Sequence, residues 1–234
     1  ARRKGYLGLY KDAVKDLTTA IEKFPSDARL YRHRGHRFIT LRCFDDATKD
    51  LEYATKLTKG KPDEIEPDGM PNEKNIPTST LQSNIWYHLG LAYYLKGDLK
   101  RAIDAYKQAM LVSKNNDMLA ATSHWYYMAL KRSGKNKDAE RLLEPFDGDF
   151  EVIENDDYLK LLRLYRGEVR PDRIDDELGD KAETLGNASL GYGYGNWHLY
   201  NQNPEKAMDV FRKVVAGNQW ASFGYIAAEA ELKR

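Results

Sequence analysis

The apolar positions of this chain fall into a recurring phrase. Alanines 13, 47, 102, 139 and 207 are each followed four residues later by a large apolar side chain: Leu17, Leu51, Tyr106, Leu143 and Phe211. Three residues further on stands a small or apolar one: Ala20, Ala54, Ala109, Phe146 and Val214. Steps of four and three place all three residues on one stripe of a helix, with lysines and acids on the other faces. Successive alanines are 34, 55, 37 and 68 residues apart, the last interval being twice 34. A period near 34 predicts pairs of antiparallel helices, each pair burying its apolar face only against its neighbours.

The stretch from Trp86 to Ala109 states the pattern most completely. Trp86, Leu89 and Tyr93 form one helical stripe, and Gly97 permits a tight turn. Asp98 is placed to cap a second helix. Gly90 and Ala102 lack bulk, so the two helices can approach closely, and Tyr106 and Ala109 continue the buried seam. This run resembles a tetratricopeptide repeat nearly position for position. The resemblance implies an all-α fold, an α-solenoid of stacked antiparallel hairpins with a right-handed superhelix.

On that template residues 1–234 form a single repeat domain. Hairpins are expected at about 1–25, 28–58, 81–114 and 117–146, a degenerate one at 155–179, and a last one at 187–216, closed by a terminal helix at 219–233. The segment Ala1 to Tyr10 reads as the end of one helix running into the next arm, so the chain is expected to begin inside a repeat. Tyr31, Gly35 and Phe38 belong to the first helix of the second hairpin, after the Pro25-Ser26-Asp27 stop and cap. In the fourth hairpin Tyr127 stands where the close-packing glycine belongs. Gly195 returns in the last, followed by Asn203-Pro204-Glu205 as cap and first turn.

The 55-residue interval carries an insertion, residues 60–80, with prolines at 62, 67, 71 and 77 that forbid a helix. Asp68-Gly69 and Pro71-Asn72 are turn signals. The segment reads either as a solvated excursion or as an ordered flap over one end of the repeats. A calcium site from Asp63, Glu64, Glu66 and Asp68 is the third reading, though the alternating register of a calcium loop is missing.

The resemblance implies that the first helices of successive hairpins line a concave groove that binds extended peptides or partner helices. Groove candidates are Arg29, Arg32, His33 and His36, then Asn84, Tyr87, His88, Leu91 and Tyr94. His124, Met128, Lys131 and Arg132 follow from the fourth hairpin, and Tyr192, Asn196 and Tyr200 from the last. Guanidinium, imidazole and aromatic rings suit a protein or peptide partner with carboxylates and some apolar side chains. Chaperone-binding members of the family use a carboxylate clamp. Arg32 and His36 stand at its first lysine and asparagine and His88 at the next asparagine, but Ala121 and Trp125 replace the cationic pair. Chaperone-tail binding is therefore not expected.

Composition narrows the rest. With 37 Lys and Arg against 36 Asp and Glu the formal charge is +1, so no global field favours nucleic acid or an anionic membrane. No run approaches the length of a membrane span. Histidines 33, 36, 88 and 124 lack the acidic or cysteine partners of a metal site. Ser123 and His124 point in different directions on a helix, so they form no nucleophile pair. Gly191-Tyr-Gly-Tyr-Gly195 lacks the strand and the lysine of a phosphate loop and reads as close helix packing. No metal or other cofactor is expected. Asn187-Ala-Ser189 is a sequon that matters only in a eukaryotic secretory setting. Cys43 reads as a small buried residue at a helix end.

The function implied is a non-enzymatic scaffold or adaptor. The alternatives are a small-ligand or glycan binder, in which residues 60–80 close over an aromatic-lined pocket, and a regulatory module of a larger protein. Likeness to repeat proteins that often carry export signals implies a bacterial exported protein, with the cytoplasm as the alternative.

Overall fold

The computed structural model describes residues 1–67, 72–179 and 183–234, and those residues form thirteen helices. Two compact units result, 1–122 and 123–234, the division falling inside one helix. The first contains α1 (Arg2–Tyr6), α2 (Tyr10–Lys23), α3 (Ala28–Thr40), α4 (Phe44–Thr58), α5 (Leu81–Lys96), α6 (Leu99–Val112) and the start of α7 (Asn116–Arg132). The second contains the rest of α7, α8 (Asn136–Leu142), α9 (Asp156–Tyr165), α10 (Pro171–Leu178), α11 (Leu185–Tyr200), α12 (Pro204–Ala216) and α13 (Phe223–Leu232). Among the described residues no helix is long and apolar enough to cross a membrane.

Each hairpin begins and ends where local chemistry dictates. Asp27 accepts from the Arg29 backbone N–H and Asp98 from that of Arg101, satisfying donors that the first turns of α3 and α6 leave open. Thr80 and Ser83 form a reciprocal capping box at the start of α5. Gly97, at φ 81°, makes the left-handed turn into α6. Asn203 caps α12, and Pro204 opens it.

Within each pair one close approach sets the spacing. A Cβ on Gly35 of α3 would lie 2.7 Å from Leu51 Cγ of α4. On Gly90 of α5 it would lie 2.5 Å from the Tyr106 ring of α6, and on Gly195 of α11, 2.3 Å from the Phe211 ring of α12. The large partners are the residues that follow each recurring alanine by four, and Ala47, Ala102 and Ala207 are themselves fully buried. In the 123–234 unit Gly193 likewise admits Leu161 of α9. The glycine run at 191–195 is thus a packing surface. In α9 and α10, Leu161, Leu164, Ile174 and Leu178 join Leu190, Tyr194 and Val210 in one core.

Three local expectations are corrected. Cys43 is exposed, because it sits at the N-cap of α4 where the chain, with Arg42 at φ 63°, turns outward between helices. The terminal helix starts at Phe223, capped by Ser222, and leaves Trp220 outside it. Finally, α8 ends at Leu142, short of the expected 146.

Residues 61–67 and 72–80 form an ordered flap. An antiparallel bridge joins Ile65 to Thr80, and Glu66 N–H donates to the Ser79 carbonyl at 3.1 Å. Leu81 N–H donates to the Glu64 carbonyl at 2.8 Å. The Asp63 carboxylate accepts from the Thr80 hydroxyl (2.6 Å) and the Gln82 N–H (2.9 Å). The proposed calcium cluster is not assembled, because Asp63 and Glu66 are engaged by different partners. Asp68, with the Asp68-Gly69 turn and Pro71, lies outside the described residues.

Gly90→Ala is expected to destabilise the chain by about 1–3 kcal/mol through overpacking against the fully buried Tyr106. Adding Tyr106→Leu should recover part of that loss relative to Tyr106→Leu alone. Urea unfolding of the four chains in this cycle checks it.

Candidate functional site

In the 1–122 unit the first helices α3 and α5 bring several of the sequence-predicted groove residues together, and the flap lies across them. Arg32 is 8% exposed, and its Nε lies 3.1 Å from Glu66 Oε2. Asn84 Nδ2 donates to the same oxygen at 3.1 Å and to Ser79 Oγ at 2.8 Å. The Arg32 Nη1 donor meets His33 Nδ1 at 3.0 Å. A guanidinium can only donate, so Nδ1 accepts and the His33 proton resides on Nε2, 3.5 Å from Glu66 Oε1. One carboxylate is therefore seated among a guanidinium, an amide and an imidazole N–H.

Behind this seat His36 and His88 stack with ring centroids 4.5 Å apart. His88 Nδ1–H donates to the Asn84 carbonyl at 2.6 Å and so fixes the backbone beneath the Asn84 side chain. Burial, reinforced by Arg32, Arg2 and Arg37, pushes His33 down to about 2. Burial also holds His36 and His88 well below the ordinary histidine value. All three rings are neutral at physiological pH, and Arg32 supplies the positive charge of the seat.

The other candidates in this unit are placed differently. Arg29 is exposed and pairs with its own cap residue, Asp27, at 2.7 Å. Tyr87, Leu91 and Tyr94 are buried packing residues. They do not line an open groove, because α5 is enclosed on nearly all sides: thirteen of its sixteen residues are buried. An aromatic groove of about 460 Å³ does exist, with Trp86, Leu89 and Tyr93, but it is formed by α4, α5 and α6 without any flap residue. A second pocket of about 530 Å³ at the flap root has Phe24 as its one aromatic lining residue. Neither of these two pockets combines flap residues with a cluster of aromatic rings.

In the 123–234 unit His124, Met128, Tyr192 and Asn196 are buried in the interior, while Lys131, Arg132 and Tyr200 are partly exposed. His124 is fully buried between Tyr158 (4.9 Å) and Tyr165 (6.0 Å), and the Tyr165 hydroxyl lies 3.1 Å from its Nδ1. Tyr127 stacks on Tyr165 at 4.4 Å, filling the place of the missing glycine. Met128 and Asn196 are fully buried, as is Tyr192, which donates from its hydroxyl to Glu231. Arg132 pairs with the same Glu231 on α13, and Lys131 lies over the Tyr200 ring at 5.5 Å. No group of three or more His, Cys, Asp or Glu side chains that would hold a metal occurs among the described residues.

Sequence reasoning missed the role of Glu66, which it considered only as a calcium ligand, and it missed Ser79, Arg2 and Arg37 altogether. One acid of the four between residues 63 and 68, beside a proline in an inserted loop, was the available signal, but nothing local points it at Arg32.

The buried histidines give a pH signature. Burial holds His124 at about 3, and His33, His36 and His88 are likewise depressed, so between those values and about 6.5 the unfolded chain binds more protons than the folded one. Their contribution is complete above about pH 6.5 and is lost as pH falls, by about 1.4 kcal/mol per pH unit for each ring that stays neutral. Urea midpoints should therefore decline steadily between about pH 7 and pH 5; a flat profile would contradict the assigned burial.

The tetratricopeptide repeat family model matches residues 83–116, the stretch that spans α5, α6 and their turn. A human relative, tetratricopeptide repeat protein 13, is 34% identical over 104 residues, 44% of this chain. The match covers 10% of that protein, so the chain spans about a tenth of its length. Among solved structures, YrrB, a tetratricopeptide repeat protein with an unusual peptide-binding site, superposes with a TM-score of 0.48 at 16% identity. That comparison covers 99% of this chain and 87% of YrrB. The tetratricopeptide repeat domain of P58(IPK) gives 0.39 at 16% identity, covering 99% and 63%. One stretch of the chain, residues 83–116, thus matches a tetratricopeptide repeat, and the same glycine-against-large-residue hairpin recurs at α3–α4 and α11–α12.

Proposed function

We propose that this chain is a non-enzymatic scaffold that holds an acidic, extended segment of a partner protein on the α3–α5 face of its 1–122 unit. The observation that supports this reading is the seating of Glu66. An extended stretch of the chain crosses the first helices of two hairpins and delivers one carboxylate to Arg32, His33 and Asn84. A surface that accepts such a segment from its own chain has the chemistry to accept one from another, with charge-assisted contacts giving the affinity and the fixed imidazole and amide setting its register. The flap then acts as an internal competitor, and a partner segment must outbid it.

A labelled peptide copying Lys61 to Pro67 tests this in trans by fluorescence anisotropy. It should bind the Glu66→Gln chain at least tenfold more tightly than the unaltered chain, and bind Glu66→Gln/Arg32→Gln no better than a scrambled peptide does. Failure to bind Glu66→Gln, or equal affinity in all three chains, overturns the reading.

A further inference from the structure

A separate cavity of about 120 Å³ lies against α1, α2 and α3, with Arg2, Tyr6, Arg32, His33, His36 and Arg37 in its lining. Among the described residues no carboxylate lines it. Arg32 already has Glu66 as its counterion, and an Arg2 Nη2 donor reaches the Pro67 carbonyl, which carries no charge. Arg37 makes no ion pair or side-chain hydrogen bond among the described residues; its guanidinium lies 5.5 Å from the Tyr10 ring centroid. The two imidazoles are neutral, and His33 already has both ring nitrogens directed at Arg32 and Glu66. Among the described residues, three guanidinium groups thus share one carboxylate around a space large enough for a few waters or one small anion.

The backbone is adapted to this crowding. Gly5 lies within α1, where glycine is unfavourable, and a Cβ there would stand 2.8 Å from Arg37 Nη1. The missing side chain admits the Arg37 guanidinium against α1, although Arg32 is close enough to disfavour its charge. Partly desolvated like charges held together call for a counter-anion. The planar forks of guanidinium groups match the paired oxygens of carboxylates and phosphates, and a phosphate offers oxygens to several forks at once.

We propose that this cavity is a binding site for a phosphate-type oxyanion, free or as the phosphoryl group of a larger ligand, held by Arg2, Arg32 and Arg37. The site shares Arg32 and His33 with the Glu66 seat but does not depend on a partner segment.

Thermal unfolding and calorimetric titration of the chain with inorganic phosphate, against sodium chloride at matched ionic strength, test it. Phosphate should stabilise the unaltered chain saturably. Arg37→Gln should weaken binding at least tenfold, Arg37→Lys less so, and the exposed Arg101→Gln not at all. Arg2→Gln serves as a second variant should Arg37→Gln fold poorly, and is expected to weaken binding severalfold. Methyl phosphate binding as tightly as phosphate assigns the site to a phosphoryl group of a larger molecule; phosphate alone assigns it to the free ion. Stabilisation no greater than that of matched chloride, or equal in the unaltered, Arg37→Gln and Arg2→Gln chains, overturns the proposal and leaves a water-filled cavity.

Discussion

The structure depends on one steric bargain, a glycine on the first helix of a hairpin facing a large side chain on the second. Gly35 with Leu51, Gly90 with Tyr106 and Gly195 with Phe211 are each 16 residues apart, and in each the added Cβ would collide with its partner. The pairing fixes how closely the two helices lie and in which rotational register, because the knob fits only where the side chain is missing. Once that register is set, the recurring alanines are held at the interface and the opposite faces turn toward the next hairpin. Where the glycine is replaced, as at Tyr127, an aromatic ring must find another surface, and it does so by stacking on Tyr165.

Electrostatics, by contrast, concentrates in one corner of the 1–122 unit. Arg32, Arg37 and Arg2 share a neighbourhood with three histidines, and the histidines stay neutral because burial and the arginines together make protonation costly. That neutrality is what allows His33 Nδ1 to accept from Arg32 while Nε2 faces Glu66 Oε1 at 3.5 Å. Burial of Arg32 is tolerable only because Glu66 arrives to meet it. The flap therefore completes the charge balance of α3 as well as covering it.

Much of the fold was legible in the sequence because its determinants are local and periodic: the alanine phrase, the glycines, and the caps at Asp27, Thr80, Asp98 and Asn203. The insertion was legible as a break in rhythm, but its destination was not. The Glu66–Arg32 contact joins residues 34 positions apart whose meeting is decided by how α3 and α5 stack, and no local pattern encodes it. The site residues fared unevenly for a related reason. The family resemblance placed Arg32, His33, His36, Asn84 and His88 among the groove candidates, but it assumed an open groove. It could not foresee that Tyr94, His124, Met128 and Asn196 would be enclosed.

The bridge between Ile65 and Thr80 has a further bearing on how this chain can change. The hydrogen bonds from Leu81 to Glu64 and from Glu66 to Ser79 clasp the two ends of the excursion directly where it leaves α4 and rejoins α5. The helices experience a closed stem whatever lies beyond it, and lengthening a closed loop costs only slowly growing entropy. The exposed run from Glu73 to Pro77 is thereby released from the demands of packing. It is the stretch of this unit where length and composition can drift, or be rewritten by design, while the hairpins on either side keep their register.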